Sequence, residues 1–252
     1  MYRSPRRAFS LLELFCAVGL FGALAIISML ALRQVTKIWQ RSSARDQAIR
    51  ELLKAEAALS RDLANGARST TQSDYRAVKA GAGSISTGDG LALLVPSAQQ
   101  EQLHLDAQGQ PVLDRLVTYY LAVPANVSAL SGLPQNFWVD AQGYEDQCAY
   151  KWLIRKETAA PAAAPGGLPA VPANWLTGPE IETPTTFWRN PDKRVVASNL
   201  LQFRVLKGPP TWEVTLTAVA IADARRQIAL GSVPLSSTAF AITHQVGLVA
   251  KN

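Results

Sequence analysis

From Phe9 to Leu32 the sequence reads FSLLELFCAVGLFGALAIISMLAL, 24 residues with one charged member, Glu13. As a helix rising about 1.5 Å per residue, this run extends about 36 Å, enough to cross a hydrocarbon layer of about 30 Å. A chain carrying it must seat it in a bilayer or in an apolar assembly, so every later choice is limited by it. The run predicts a single membrane span over residues 9–32.

Three other readings compete for the same residues. Ala23-Leu24-Ala25 resembles the small-x-small site of a cleaved secretory signal, but the apolar run continues through Leu32 and an acid sits near its start. A lipoprotein signal ending at Cys16 needs small residues before the thiol, where Leu14 and Phe15 stand. An ordinary signal anchor accounts for the basic start and the apolar run but not for Glu13. A carboxylate in such a run costs about 2 to 3 kcal/mol toward the helix centre and less near an end, so Glu13 calls for a cationic partner.

The context Arg6-Arg7-Ala8-Phe9-Ser10-Leu11-Leu12-Glu13 joins a basic leader, a small residue, a phenylalanine and an acid four positions further on. It resembles the processing motif of prepilin-type proteins, the type IV pilins and the type II secretion pseudopilins. The resemblance implies a leader over residues 1–8 and cleavage by a prepilin peptidase between Ala8 and Phe9. It further implies N-methylation of Phe9 and an assembly salt bridge from Glu13 to the new amine of an adjoining subunit. Each charge is costly alone in an apolar layer and tolerable as a pair. Where Ala8 stands the family usually has glycine. The implied partners are other pilin or pseudopilin subunits, the prepilin peptidase, the inner-membrane assembly platform and the lipid bilayer. The implied location is the bacterial inner membrane, single-pass, with the head in the periplasm and the subunit incorporated into a pilus or pseudopilus. Arg3, Arg6 and Arg7 on one flank nearly balance Arg33, Lys37, Arg41 and Arg45 on the other, so the orientation rests on the resemblance alone.

No Pro or Gly interrupts Arg33 to Asn65, and Ile49, Leu52, Leu53, Glu56, Leu59 and Leu63 recur at three- and four-residue steps. This predicts an amphipathic half-helix over residues 33–66, continuous with the span from Phe9 and stopping at Asn65-Gly66. A single stripe followed by strand-like sequence favours packing on a sheet over a free coiled-coil stalk.

Residues 67–252 read as a β-rich extracytoplasmic head. Strand-like runs occur at Leu91 to Val95, Arg115 to Val123, Tyr150 to Arg155, Leu200 to Leu206, Trp212 to Ala222 and Ala239 to Val249. Alternation of Trp212, Val214, Leu216 and Ala218 with Glu213, Thr215 and Thr217 predicts a strand with one buried and one wet face. The Gly- and Ser-rich stretch Ala80 to Gly90 reads as loop and lacks the lysine of a phosphate-binding loop. An Ala/Pro-rich loop covers residues 158–174, and Trp175 to Pro191 reads as a further loop. The expected fold class is α+β, with a long N-terminal helix packed on an antiparallel β-sheet head. The order of Leu63-Ala64-Asn65, the runs at Arg115 and Tyr150, Asn199 to Leu206 and Trp212-Glu213-Val214 loosely resembles the J-type minor pseudopilins of type II secretion. It is also similar to the uncharacterised prepilin-type proteins of the Verru/Chthon cassette group.

With 252 residues and 48% hydrophobic residues, the chain can build one core. Three of its six net positive charges are Arg3, Arg6 and Arg7, which leaves a weak case for an acidic partner. Nucleic acid is not an expected partner, with Arg225 and Arg226 or Arg33 to Arg45 as the residues a DNA-binding role would draw on. Cys16 and Cys148 cannot pair if one lies in lipid, and Cys148 is expected buried. His104 and His244 lack any nucleophile context, so no catalytic residue and no cofactor is expected. Asp140, Glu145 and Asp146 lack the spacing of a calcium loop, and no metal ligand is assigned. Trp138, Trp152, Trp175, Trp188 and Trp212 divide between core packing and partner contact. The expected function is that of a non-enzymatic structural subunit, a minor pilin or pseudopilin. The alternative is a membrane-anchored extracytoplasmic binding module that is not polymerised.

Overall fold

The computed structural model describes residues 10–66, 68–76, 87–96, 98–99, 102–103, 109, 112–124, 126–131, 148–162, 192–207, 211–220 and 241–249. Helix α1 spans Leu11–Asn65 and a short helix α2 spans Val127–Ser131. The strands are β1 Arg68–Arg76, β2 Thr87–Val95, β3 Ala98–Gln99, β4 Gln102–Leu103, β5 Arg115–Ala122, β6 Lys151–Ala159, β7 Lys193–Lys207, β8 Thr211–Val219 and β9 Ala241–Val249. The chain divides into two compact units, Met1–Ser43 and Ala44–Asn252.

In the first unit every residue from Ser10 to Ser43 is helical or caps the helix, and every one is exposed, Leu11, Phe15, Phe21 and Ile27 among them. By length and composition this helix can cross a membrane. Its unburied apolar side chains are the reverse of what a water-facing helix presents.

In the second unit β1, β2, β5, β6, β7, β8 and β9 form a seven-stranded sheet in that order, every neighbour antiparallel, while β3 and β4 form a separate two-stranded ladder. The remaining part of α1 lies on one face of this sheet, so the fold is α+β with a long helix on an antiparallel head. The helix buries Ala44, Ala48, Leu52, Ala55, Leu59 and Leu63, spaced by three or four residues as one face of a 3.6-residue helix requires. Opposite them sit Leu91, Leu93, Val117, Tyr119, Leu121, Leu153, Phe203, Val214 and Leu216. Three alanines on the buried face bring the helix backbone close to the sheet. Gly66 ends the helix in a confined place: a Cβ there would come to 3.0 Å from the Asp62 carbonyl oxygen.

Several expectations need correction. Ile49 and Leu53 are exposed, at 37% and 52%, whereas Glu51 and Asp62 are buried. A stripe drawn through large apolar residues therefore pointed partly away from the true docking face. Strand β1 has the polar sequence RSTTQSDYR and carries no apolar alternation to announce it. Thr87 to Gly90 belong to β2 rather than to a loop, and Thr158 and Ala159 close β6 rather than open the Ala/Pro-rich loop. Tyr150 lies in the turn before β6, and β7 starts at Lys193, well before Leu200. The wet face of β8 holds at Glu213 and Thr215 but ends there, because Thr217 and Val219 are buried. Central strand β5 is buried on both faces, with Tyr120, Ala122 and Ile154 forming a second small core behind the sheet. Such strands read as continuous apolar runs rather than as alternation.

Candidate functional site

The sequence-derived site lies at the start of α1. Ala8 and Phe9 fall outside the described residues, while Glu13 stands in the first turn. Its carboxylate Oε2 accepts the backbone N–H of Ser10 at 3.0 Å, and Ser10 Oγ accepts the backbone N–H of Glu13 at 3.2 Å. This reciprocal pair is a capping box, S-x-x-E, which satisfies two donors that a helix start leaves open. The negative charge also sits at the positive end of the helix dipole. Glu13 thus has a local role, fixing where the helix begins. The Ser10-Leu11-Leu12-Glu13 spacing carried that signal in the sequence.

A second cluster, which the sequence reading missed, ties the other end of α1 to the sheet. Three acids of the helix make the ties. Glu51 Oε2 accepts the backbone N–H of Ser198 at 2.8 Å, and its other oxygen meets Lys54 Nζ at 2.6 Å. Glu56 Oε2 meets His244 Nε2 of β9 at 2.8 Å. Asp62 Oδ2 accepts Tyr119 Oη at 2.5 Å and Arg155 Nε at 2.6 Å, and Tyr119 Oη also reaches the Ala58 carbonyl oxygen at 3.2 Å. Glu51, Ala55 and Asp62 share a helical face with Leu52, Leu59 and Leu63, and that spacing was the available clue.

The ladders explain why these groups meet. Tyr119 of β5 lies opposite Arg155 of β6, which lies opposite Arg194 of β7, a row of three on the helix-facing side. Two residues along, Glu157 bridges two cations: its Oε2 takes Arg155 Nη1 at 2.5 Å and its Oε1 takes Arg115 Nη1 at 2.7 Å. A cleft of about 240 Å³ opens here, lined by Arg115, Arg155, Glu157, Asp192, Lys193 and Arg194. The Glu157 backbone N–H donates to the Asp192 carbonyl at 2.7 Å and holds the rim.

Burial alone would raise the Asp62 carboxyl, but hydrogen bonds from Arg155 and Tyr119 and the charges of Arg155 and Arg61 outweigh it and hold it below the usual carboxylate range. Glu157 behaves alike: burial opposes its charge, and Arg155 with Arg115 lowers it. Burial and the neighbouring Asp62 push the Tyr119 hydroxyl well above its ordinary value, so it stays a proton donor. For Arg155 burial acts against the charge, yet its two carboxylates raise it. Arg194 goes the other way, lowered by burial and then by the positive charges of Arg155 and Arg61. Among the described residues of the cluster, Arg61, Arg115, Arg155 and Arg194 gather around the carboxylates of Asp62 and Glu157.

Of the other sequence candidates, Cys148 is buried and Cys16 exposed, and neither forms a disulfide. Trp212 lies in the main core and Trp152 packs half-buried on the Tyr120 cluster. His104, Trp138, Asp140, Glu145, Asp146, Trp175, Trp188, Arg225 and Arg226 lie outside the described residues. Among the described residues no three His, Cys, Asp or Glu side chains converge in a way that could hold a metal ion. Compared with protein-family models, curated proteins and solved structures, the chain finds no match.

Proposed function

We propose that the chain is a prepilin-type structural subunit, anchored by the first part of α1 and assembled through it into a pilus or pseudopilus. The observation that carries this reading is the charge pattern of α1: an exposed apolar helix whose single charged residue from Ser10 to Leu32 is Glu13, in its first turn. An acid so placed answers a cation created next to it, and cleavage between Ala8 and Phe9 would create one four residues away. In the polymer, Glu13 would exchange its hold on the Ser10 N–H for the amine of a neighbouring Phe9. Helix α1 then serves as anchor and assembly spine, the inner membrane holds it before assembly, and the periplasmic head distinguishes one subunit from another. The role is non-enzymatic and asks for no cofactor.

Mass spectrometry of the protein purified from cells tests the reading. The expected mature chain begins at Phe9 and carries one added methyl group; an intact chain from Met1 would sink the proposal. Incorporation of Glu13→Gln into polymer is expected to fall, and unchanged incorporation would remove the assembly role. A second reading, a membrane-anchored binding module that does not polymerise, is favoured by the cationic cleft on β5, β6 and β7.

A further inference from the structure

Arg155 and Arg194 stand directly opposite one another in the β6–β7 ladder. Like charges at such positions, with Cβ atoms about 4.5 to 5.5 Å apart, destabilise a sheet unless anions separate them. Arg155 is answered twice, by Asp62 and by Glu157. Arg115 is answered by Glu157, and Arg61 by Asp62 at 3.3 Å. Arg194 is not: among the described residues it makes no ion pair, although it lines the same cleft and is exposed. Asp192 and Lys193, also on the rim, take part in interactions of their own.

We propose that this cleft is a binding site for a single carboxylate of an acidic peptide segment, with Arg194 as the group that grips it. The volume of about 240 Å³ holds about eight waters' worth of space, room for one acidic side chain and its remaining hydration. Arg194 offers a planar fork that matches a carboxylate in two parallel hydrogen bonds, and Arg155 behind it supplies field without giving up its own partners. The charge balance selects a monoanion. Glu157 and Asp192 line the same walls and repel a second negative charge, which works against a phosphate dianion. A carboxylate on Arg194 also offsets the like charge that Arg155 places opposite it. The inference rests on the head alone and holds whether or not the subunit polymerises.

The test titrates the full chain in non-ionic micelles with a tetraglutamate peptide by calorimetry, with tetraglutamine and inorganic phosphate as comparators. Saturable tetraglutamate binding that weakens with salt is expected, together with a loss of at least about tenfold in Arg194→Gln and an intermediate affinity in Arg194→Lys. Equal binding of tetraglutamine, or tetraglutamate binding unchanged in Arg194→Gln, overturns the site. Tighter binding of phosphate than of tetraglutamate overturns the carboxylate assignment. Should Arg194→Gln fail to fold, Arg194→Lys decides, because unchanged affinity there contradicts a two-pronged grip.

Discussion

Asp62, in the last turn of α1, and Arg155, in the middle of β6, are joined Oδ2 to Nε at 2.6 Å, with both side chains almost withdrawn from solvent. An acid at a helix C-terminus opposes the helix dipole, and no basic residue occupies that last turn. Arg155 supplies the missing positive charge from across the sheet. Removing one member strands the other, the costly way to break a buried pair. Asp62→Ala is expected to lower head stability by about 3 kcal/mol, and Tyr119→Phe, which leaves the pair intact, by about 1 kcal/mol. Urea unfolding of the full chain in micelles, followed by tryptophan fluorescence, measures both.

The same pair fixes a pH dependence. In the folded head Asp62 and Glu157 titrate below their ordinary values, so the unfolded chain binds protons more readily than the folded one. Their contribution is complete above about pH 5, where the unfolded-state carboxyls near 4 are ionised, and it drains away as pH falls through the folded-state values. Thermal midpoints measured from pH 7 to pH 2 are expected to fall most steeply under pH 4. Asp62→Asn should start lower and lose less over that window.

How much of this was legible in advance varies by element. The apolar run, the helix end at Asn65 and the antiparallel character of the head follow from local composition, since each depends on neighbours in sequence. The docking face did not. Its spacing was set by Ala44, Ala48 and Ala55, chosen for close approach rather than apolar bulk, and by Glu51 and Asp62, whose burial depends on Ser198, Tyr119 and Arg155 far along the chain. Strand β1 escaped for a similar reason, being held by its ladder to β2 rather than by apolar alternation. The Arg155 and Arg194 juxtaposition exists only once the β6–β7 register is known.

Glu13 is asked to cap its own helix and, in the proposed polymer, to neutralise an amine, and substitutions separate the two roles. Glu13→Gln keeps a side-chain acceptor for the Ser10 N–H and removes the charge. Ser10→Ala removes the acceptor for the Glu13 N–H and keeps the charge, at an expected cost of about 1 kcal/mol to the helix start. If charge governs assembly, Ser10→Ala assembles almost normally while showing faster amide exchange at Glu13. Glu13→Gln then fails to assemble with a well-formed first turn. Failure of Ser10→Ala beside normal assembly of Glu13→Gln would assign the role to the cap instead.

Strand β7 is irregular where it pairs with β6. Between the pairs Lys151 with Leu200 and Leu153 with Ala197, β7 places two residues, Ser198 and Asn199, against Trp152 alone, so the extra residue makes a bulge. Asn199 adopts φ 58°, left-handed backbone that asparagine tolerates and a β-branched residue does not. Glu51 reaches from α1 to Ser198 and accepts its N–H. Helix register and strand bend are therefore set together, and each should report damage to the other. Asn199→Val is expected to cost about 1 to 2 kcal/mol and Asn199→Gly to be nearly neutral. Glu51→Ala should cost about 1 to 3 kcal/mol by orphaning a partly buried donor, and Glu51→Gln less, because an amide oxygen still accepts. Hydrogen exchange at the Ser198 amide gives the deciding readout: protection should drop in Glu51→Ala and in Asn199→Val alike, and protection unchanged in either would uncouple the bulge from the helix.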